Sequence, residues 1–238
     1  MNYYRQSPFA NLTPVVKNLI IINVLFFIAT WVLEHYGIDL TSLFSAFYFD
    51  SPLFKPWQII TYMFMHAGFW HIFMNMFVLF MFGPTLEYTL GSKRFLNYYF
   101  ITGIGALAMQ MLVQTIEVYH ITGSFTIANH DLSLFQTSPS FEKLDDIYRG
   151  AILGASGAIF GVLVGFAVLF PNVELRIYGV IPIKAKYAVI GYVVWELFSG
   201  VSQFAGDSVA HFAHLGGALV GFILLKIWGY GSQDNFYN

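Results

Sequence analysis

Residues 150–173 read GAILGASGAIFGVLVGFAVLFPNV, 24 positions without a charge between Arg149 and Glu174. A bilayer core of about 30 Å is crossed by roughly 20 helical residues, so the stretch is long enough for one span. Similar gaps recur along the chain. There are 31 uncharged residues between Lys55 and Glu87, 22 between Arg94 and Glu117, and 18 between Asp207 and Lys226. Residues 14–33 and 187–205 each hold a further span with one charge. These charges are Lys17, near an end where a long side chain can snorkel, and Glu196.

Composition agrees with this reading. Hydrophobic residues make up 57% of the 238 positions and charged residues only 10%, against about 25% charged in soluble domains. A water-soluble globule is excluded, and so is disorder, which goes with few apolar and aromatic residues. A net charge of −2 gives no basic field for nucleic acid. The absence of cysteine excludes a disulfide framework, a thiolate metal site and a cysteine nucleophile.

The expected fold is therefore an all-α polytopic membrane protein with six transmembrane helices near 14–34, 70–88, 95–117, 152–170, 187–205 and 208–228. Long apolar runs without alternation do not suit barrel walls, so strands are not expected. The first span reads as retained, since no clear small-residue cleavage site follows it. One domain, 14–228, is flanked by tails at 1–13 and 229–238. With the N-terminus inside, Arg5, Lys17, Lys93, Arg94, Arg176, Lys184, Lys186 and Lys226 fall on one side, and Lys55, Lys143 and Arg149 on the other. Such a bias sets orientation and puts both termini in the cytoplasm. The outer loop from His120 to Arg149 shows no motif.

Polar groups inside spans are expensive and mark functional sites by default. Three clusters stand out: His66-x4-His71-x3-Asn75, Gly154-x-Ser156-Gly157 with Gly161 and Gly165, and His211-x-x-His214-x-x-Gly217 with Gly221. Each lies near the start of the second, fourth or sixth span, all of which enter from outside. His71, Asn75, Ser156 and His214 are therefore expected at one level, a little below the outer surface. Each also has a plainer reading. Glycines every fourth position pack helices closely, a serine in a span bonds its own backbone, and Asn75, His66 and His211 can hold neighbouring helices. From chemistry alone, Ser156 with His214 reads either as a nucleophile–base pair or as packing. His71 and Asn75, one turn apart, read either as oxyanion donors or as interhelical glue. Glu196 in the fifth span reads either as bonding a neighbouring helix or as facing a cavity, with no assigned role.

These three motifs, in this order and on these spans, resemble the rhomboid family of intramembrane serine proteases over about residues 14–228. Trp57 and the group Glu87, Gly91, Ser92 and Arg94 also match. Gln58 departs from the family's usual Arg and Thr89 from another, which puts loop anchoring and stability in question more than catalysis; Phe160 replaces a frequent Tyr and keeps a ring to pack on His214 without the hydroxyl. The resemblance implies that Ser156 is the nucleophile and His214 the general base and acid, with His71 and Asn75 stabilising the oxyanion. Gly154, Gly157, Phe160 and His66 would support the site. It implies no metal and no cofactor, and no acidic third member, so that packing against Phe160 would orient His214. Substrates would be single-span transmembrane proteins in the lipid bilayer, entering past Trp195, Phe198 and Phe204. The expected setting is a bacterial cytoplasmic membrane with the site toward the outer face. Two alternatives stand beside this: a His-ligated transmembrane haem protein using His66, His71, His211 and His214, and a non-catalytic protein that binds membrane clients. A zinc protease motif of the His-Glu-x-x-His type is absent.

Overall fold

A backbone in lipid must satisfy its own N–H and C=O groups, and the helix does so locally. The computed structural model describes residues 12–126, 139–177, 180–202 and 211–230. Its helices, in chain order, are α1 (Pro14–His35), the short α2 (Leu40–Phe44) and α3 (Gln58–Thr61), α4 (Phe69–Leu90), α5 (Ser92–Thr122), α6 (Pro139–Arg149), α7 (Ser156–Leu169), α8 (Ala185–Ser202) and α9 (His211–Ile227). A helix thus stands at each of the six expected positions. Among the described residues, α1, α4 and α5 are long and apolar enough to cross a bilayer, whereas α7 and α9 are shorter apolar helices.

Four features differ from the expectation. First, α5 runs on to Thr122, past the expected end at 117. Second, the connection between α5 and α7 contains α6, whose Leu144 and Ile147 are buried with Val118 and Tyr48 and whose Lys143 pairs with Glu117 at 2.8 Å. Third, a small antiparallel hairpin joins α7 to α8, with β1 (Glu174–Ile177) paired to β2 (Ile181–Lys184). It lies outside the apolar runs on which strands were excluded. Fourth, α7 begins at Ser156, not near 152. Ile152 instead forms a two-way bridge with Ala46, at 2.9 and 2.7 Å, and the Gly154 N–H bonds the Tyr62 carbonyl at 2.9 Å. Gly154 has φ +127, a left-handed value that glycine tolerates and a helix does not.

The centre of the bundle is α7, packed between α5, α9 and α4. Its glycines are contact points. A Cβ on Gly157 would stand 2.3 Å from the Ala106 Cβ, and one on Gly161 would stand 2.7 Å from Thr102. From α9, a Cβ on Gly217 would stand 1.9 Å from the Gly157 carbonyl oxygen, and one on Gly221 would stand 3.1 Å from the Gly161 Cα. Small residues let helix backbones meet this closely. The Tyr98 hydroxyl donates to the Gly161 carbonyl at 2.7 Å and ties α5 to α7.

Two buried side chains hold the periphery. Glu87 on α4 accepts from the N–H groups of Val15 and Val16 at 3.1 and 2.9 Å and from the Ser92 hydroxyl at 2.7 Å. It caps the start of α1, where unpaired amides and the helix dipole favour an anion. Gln58, fully buried, accepts from the Lys55 N–H at 2.8 Å and donates to the carbonyls of Ser42, Leu43 and Leu53 at 3.1–3.3 Å. The Trp57 indole donates to Leu43 at 3.0 Å. Gln58 therefore anchors the connection between α1 and α4 without a charge. Outward faces of α1 and α8 carry Leu25, Trp31, Tyr187, Val194 and Trp195 uncovered, apolar surfaces suited to lipid.

Gly217→Ala is expected to lower the unfolding temperature in detergent sharply, because its methyl meets backbone, and overpacking alone costs about 1–3 kcal/mol. Gln58→Ala should cost about 1–3 kcal/mol by stranding buried loop carbonyls. Thermal unfolding of each purified variant against wild type measures both.

Candidate functional site

Three elements bring their first turns together. Ser156 is the first residue of α7, His211 and His214 are the first and fourth of α9, and His71 and Asn75 lie in the first two turns of α4. His211 and His214 share a helix face by their spacing. The peptide before Ser156 is fixed by the Ala46 bridge and the Tyr62 bond described above, and the Tyr62 hydroxyl in turn donates to the Gly103 carbonyl of α5 at 2.6 Å.

Ser156 Oγ and His214 Nε2 stand 2.8 Å apart. The Phe160 ring, one turn along α7, stacks on the His214 ring at 4.4 Å between centroids and 8° between planes. Packing therefore does hold His214. It is not the sole hold, however, and here the expectation needs correcting. Glu196 of α8 reaches the same histidine, with Oε2 3.0 Å from His214 Nδ1 and 2.6 Å from His211 Nδ1. All three residues are buried. Sequence separation hid this contact, since Glu196 is 18 residues from His214. The available signal was depth: in the orientation expected from the basic residues, a fifth span would run outward and put Glu196 near its outer end, level with the start of the sixth.

On the opposite side, the imidazole of His71 lies against Gly154, where a Cβ would stand 2.8 Å from His71 Nε2 and 3.6 Å from Ser156 Oγ. Glycine at 154 thus serves both the left-handed turn and the room for His71. The Ala67 N–H points to His71 Nδ1 at 3.4 Å. With Nδ1 accepting, the ring proton sits on Nε2, on the side facing Gly154. Asn75 is 5% exposed, and its Nδ2 has no hydrogen-bond partner among the described residues. His66 packs its ring against His71 at 5.0 Å. Gly157 is the contact point between α7, α5 and α9.

The structure therefore brings Ser156, His214 and Phe160 together, with His71 and Gly154 beside them and His66 behind His71. On α8, Trp195 and Phe198 are exposed, with ring centroids 6.3 Å apart. Phe204 and both tails beyond residues 12 and 230 lie outside the described residues. Among those described, Glu196, His211 and His214 also form the one group spaced so that three side chains could share a cation.

Comparison with known proteins bears on the family. Residues 53–230 match the Rhomboid domain family. The chain is 31% identical over 169 residues to Rhomboid protein 1, mitochondrial, of Saccharomyces cerevisiae, an alignment covering 70% of this chain and 40% of that protein. It is 31% identical over 170 residues to the rhomboid protein YdcA of Bacillus subtilis, covering 71% and 65% respectively. It is 29% identical over 170 residues to RHOMBOID-like protein 6, mitochondrial, of Arabidopsis thaliana, covering 71% and 43%. The matched region thus spans 40–65% of the length of these relatives. They share a fold family and not a compartment, since two are mitochondrial and one is bacterial. With 178 of its 238 residues inside the domain match, this chain is an integral membrane protein belonging to the rhomboid family.

Proposed function

We propose that the protein is an intramembrane serine endopeptidase that hydrolyses peptide bonds in or beside the transmembrane segments of single-span proteins. The observation that carries this reading is the 2.8 Å contact between Ser156 Oγ and His214 Nε2, at the start of an apolar helix in the bundle. Six helices cross the bilayer in this reading, with both termini on the side that carries most of the basic residues. Only 14 residues long, α7 rises about 21 Å, less than the bilayer core. Its first residue can therefore lie below the outer surface yet open toward water through the loops above it.

The chemistry follows from the geometry. Ser156 Oγ attacks the scissile carbonyl carbon while its proton passes to His214 Nε2. The carbonyl oxygen takes up negative charge and meets the Ser156 N–H, His71 Nε2–H and the unpartnered Asn75 Nδ2. As the tetrahedral species collapses, the C–N bond breaks, and His214 returns the proton to the leaving amine. Water then attacks the acyl-serine with His214 again as base, releasing the acid and restoring the Ser156 hydroxyl. Substrate helices would enter beside α8, where Trp195 and Phe198 face lipid.

The haem alternative fits less well. His214 engages Ser156 through one ring nitrogen and Glu196 through the other, so neither is left for iron. A client-binding protein without catalysis has no need of a serine and an imidazole at hydrogen-bond distance.

Purified protein in liposomes is expected to cleave a single-span substrate, and a fluorophosphonate probe should label Ser156. Ser156→Ala and His214→Ala should each abolish cleavage. Asn75→Ala should slow kcat by about 10²–10³-fold without abolishing it, the typical cost of one oxyanion donor. Cleavage by Ser156→Ala at the wild-type rate would falsify the mechanism.

A further inference from the structure

Glu196 takes no part in the mechanism above, yet it is a carboxylate 4% exposed within α8. A buried carboxylate is costly unless hydrogen bonds replace its water. Here two imidazoles do so, His211 at 2.6 Å and His214 at 3.0 Å, both through Nδ1 and both to the same oxygen, Oε2.

The proton positions follow from what each atom can do. An ionised carboxylate accepts and never donates, so each contact requires a proton on Nδ1. A neutral imidazole carries one N–H, and a His214 with its proton on Nδ1 presents a bare Nε2 to the Ser156 hydroxyl, as a general base must. The reverse arrangement, a neutral Glu196 donating to His214 Nδ1, would put the proton on Nε2 and leave Ser156 without a base.

We infer that Glu196 is a positioning residue that holds His214 in the Nδ1–H form, with His211 as the second donor that fixes the carboxylate. This rests on the reading of Ser156 and His214 as nucleophile and base. When Ser156 gives its proton to Nε2, His214 becomes a cation with both nitrogens protonated. The Glu196 anion then faces a full positive charge at 3.0 Å through a charge-assisted bond, and the proton stays on the imidazole.

The same three side chains could be read as a metal site, but their contacts are too short. Ligands around a tetrahedral zinc at about 2.0–2.1 Å would stand roughly 3.3 Å apart, whereas Glu196 Oε2 touches His211 Nδ1 at 2.6 Å. Those are hydrogen-bond lengths.

Two measurements test the inference, one of them without turnover. Protein with ¹⁵N-labelled histidine, wild type and Ser156→Ala, is read by NMR for the tautomer of each ring. His211 and His214 are expected as Nδ1–H forms with low-field N–H resonances that disappear in Glu196→Gln. An Nε2–H form of His214 in wild type would overturn the inference, whether or not any variant folds. Kinetically, Glu196→Gln should lower kcat at least tenfold with KM within about twofold. Replacing the carboxylate of a Ser–His–Asp triad costs about 10⁴-fold, and Phe160 still holds the ring here. A loss below about tenfold overturns the inference, as does activity removed by a chelator and restored by zinc. If Ser156→Ala still cleaves, the protease reading fails, and the tautomer result stands apart from it. If cleavage needs Ser156 while His214 is the Nε2–H form, the inference about Glu196 fails alone.

Discussion

The contact on which the rest of the molecule depends is the crossing of α7 and α9 at Gly157 and Gly217. A Cβ on Gly217 would come within 1.9 Å of the Gly157 carbonyl oxygen, so the two backbones touch. Ser156 precedes one glycine directly, and His214 precedes the other by one turn. The register that brings the glycines together therefore also brings Oγ to Nε2. Lipid supplies no hydrophobic force between helices, so their association relies on such close packing. Here the packing and the reactive geometry are set by the same pair of positions.

A second constraint comes from the non-helical residues 150–155. Backbone at membrane depth is tolerated only when protein or enclosed water satisfies it. Ala46 and Tyr62 do so here through three hydrogen bonds. This makes the connection between α1 and α4 part of the site, and that connection is in turn held by the fully buried Gln58. An arginine there would bring a charge needing its own compensation. The glutamine amide both accepts and donates, and needs none. Ser156 is thus preceded by a peptide that these bonds hold out of the helix.

Much of this was legible in the sequence, because a membrane protein writes its fold in the spacing of its charges. Four uncharged gaps and two apolar runs with a single charge each marked the positions of six helices, and the polar exceptions within them singled out Ser156, His214, His71 and Asn75. What escaped depends on contacts that no periodicity encodes. The start of α7 is set by pairing with Ala46, over 100 residues earlier. The hairpin of β1 and β2 lies in a short charged connection. Helix α6 shows Leu144 and Ile147 three apart, a pattern too brief to separate from a polar loop. Glu196 was visible as an anomaly, but its partners lie on the next helix across residues whose path the sequence does not give.

The two holds on His214 act on different freedoms, which explains why both are present. A stacked ring 4.4 Å away and tilted by 8° restricts the plane of the imidazole but is nearly indifferent to which way round the ring lies in that plane. A half-turn about that bond keeps the ring in the same plane while exchanging Nδ1 with a carbon and moving Nε2 away from Ser156. Dispersion and stacking scarcely distinguish the two orientations. A hydrogen bond to Nδ1 does, because in the flipped ring Glu196 Oε2 would face a C–H. Phe160 thus fixes the plane and Glu196 the sense of the ring within it. A carboxylate buried in a membrane bundle is costly to keep, and this discrimination is something an apolar neighbour at the same position could not provide.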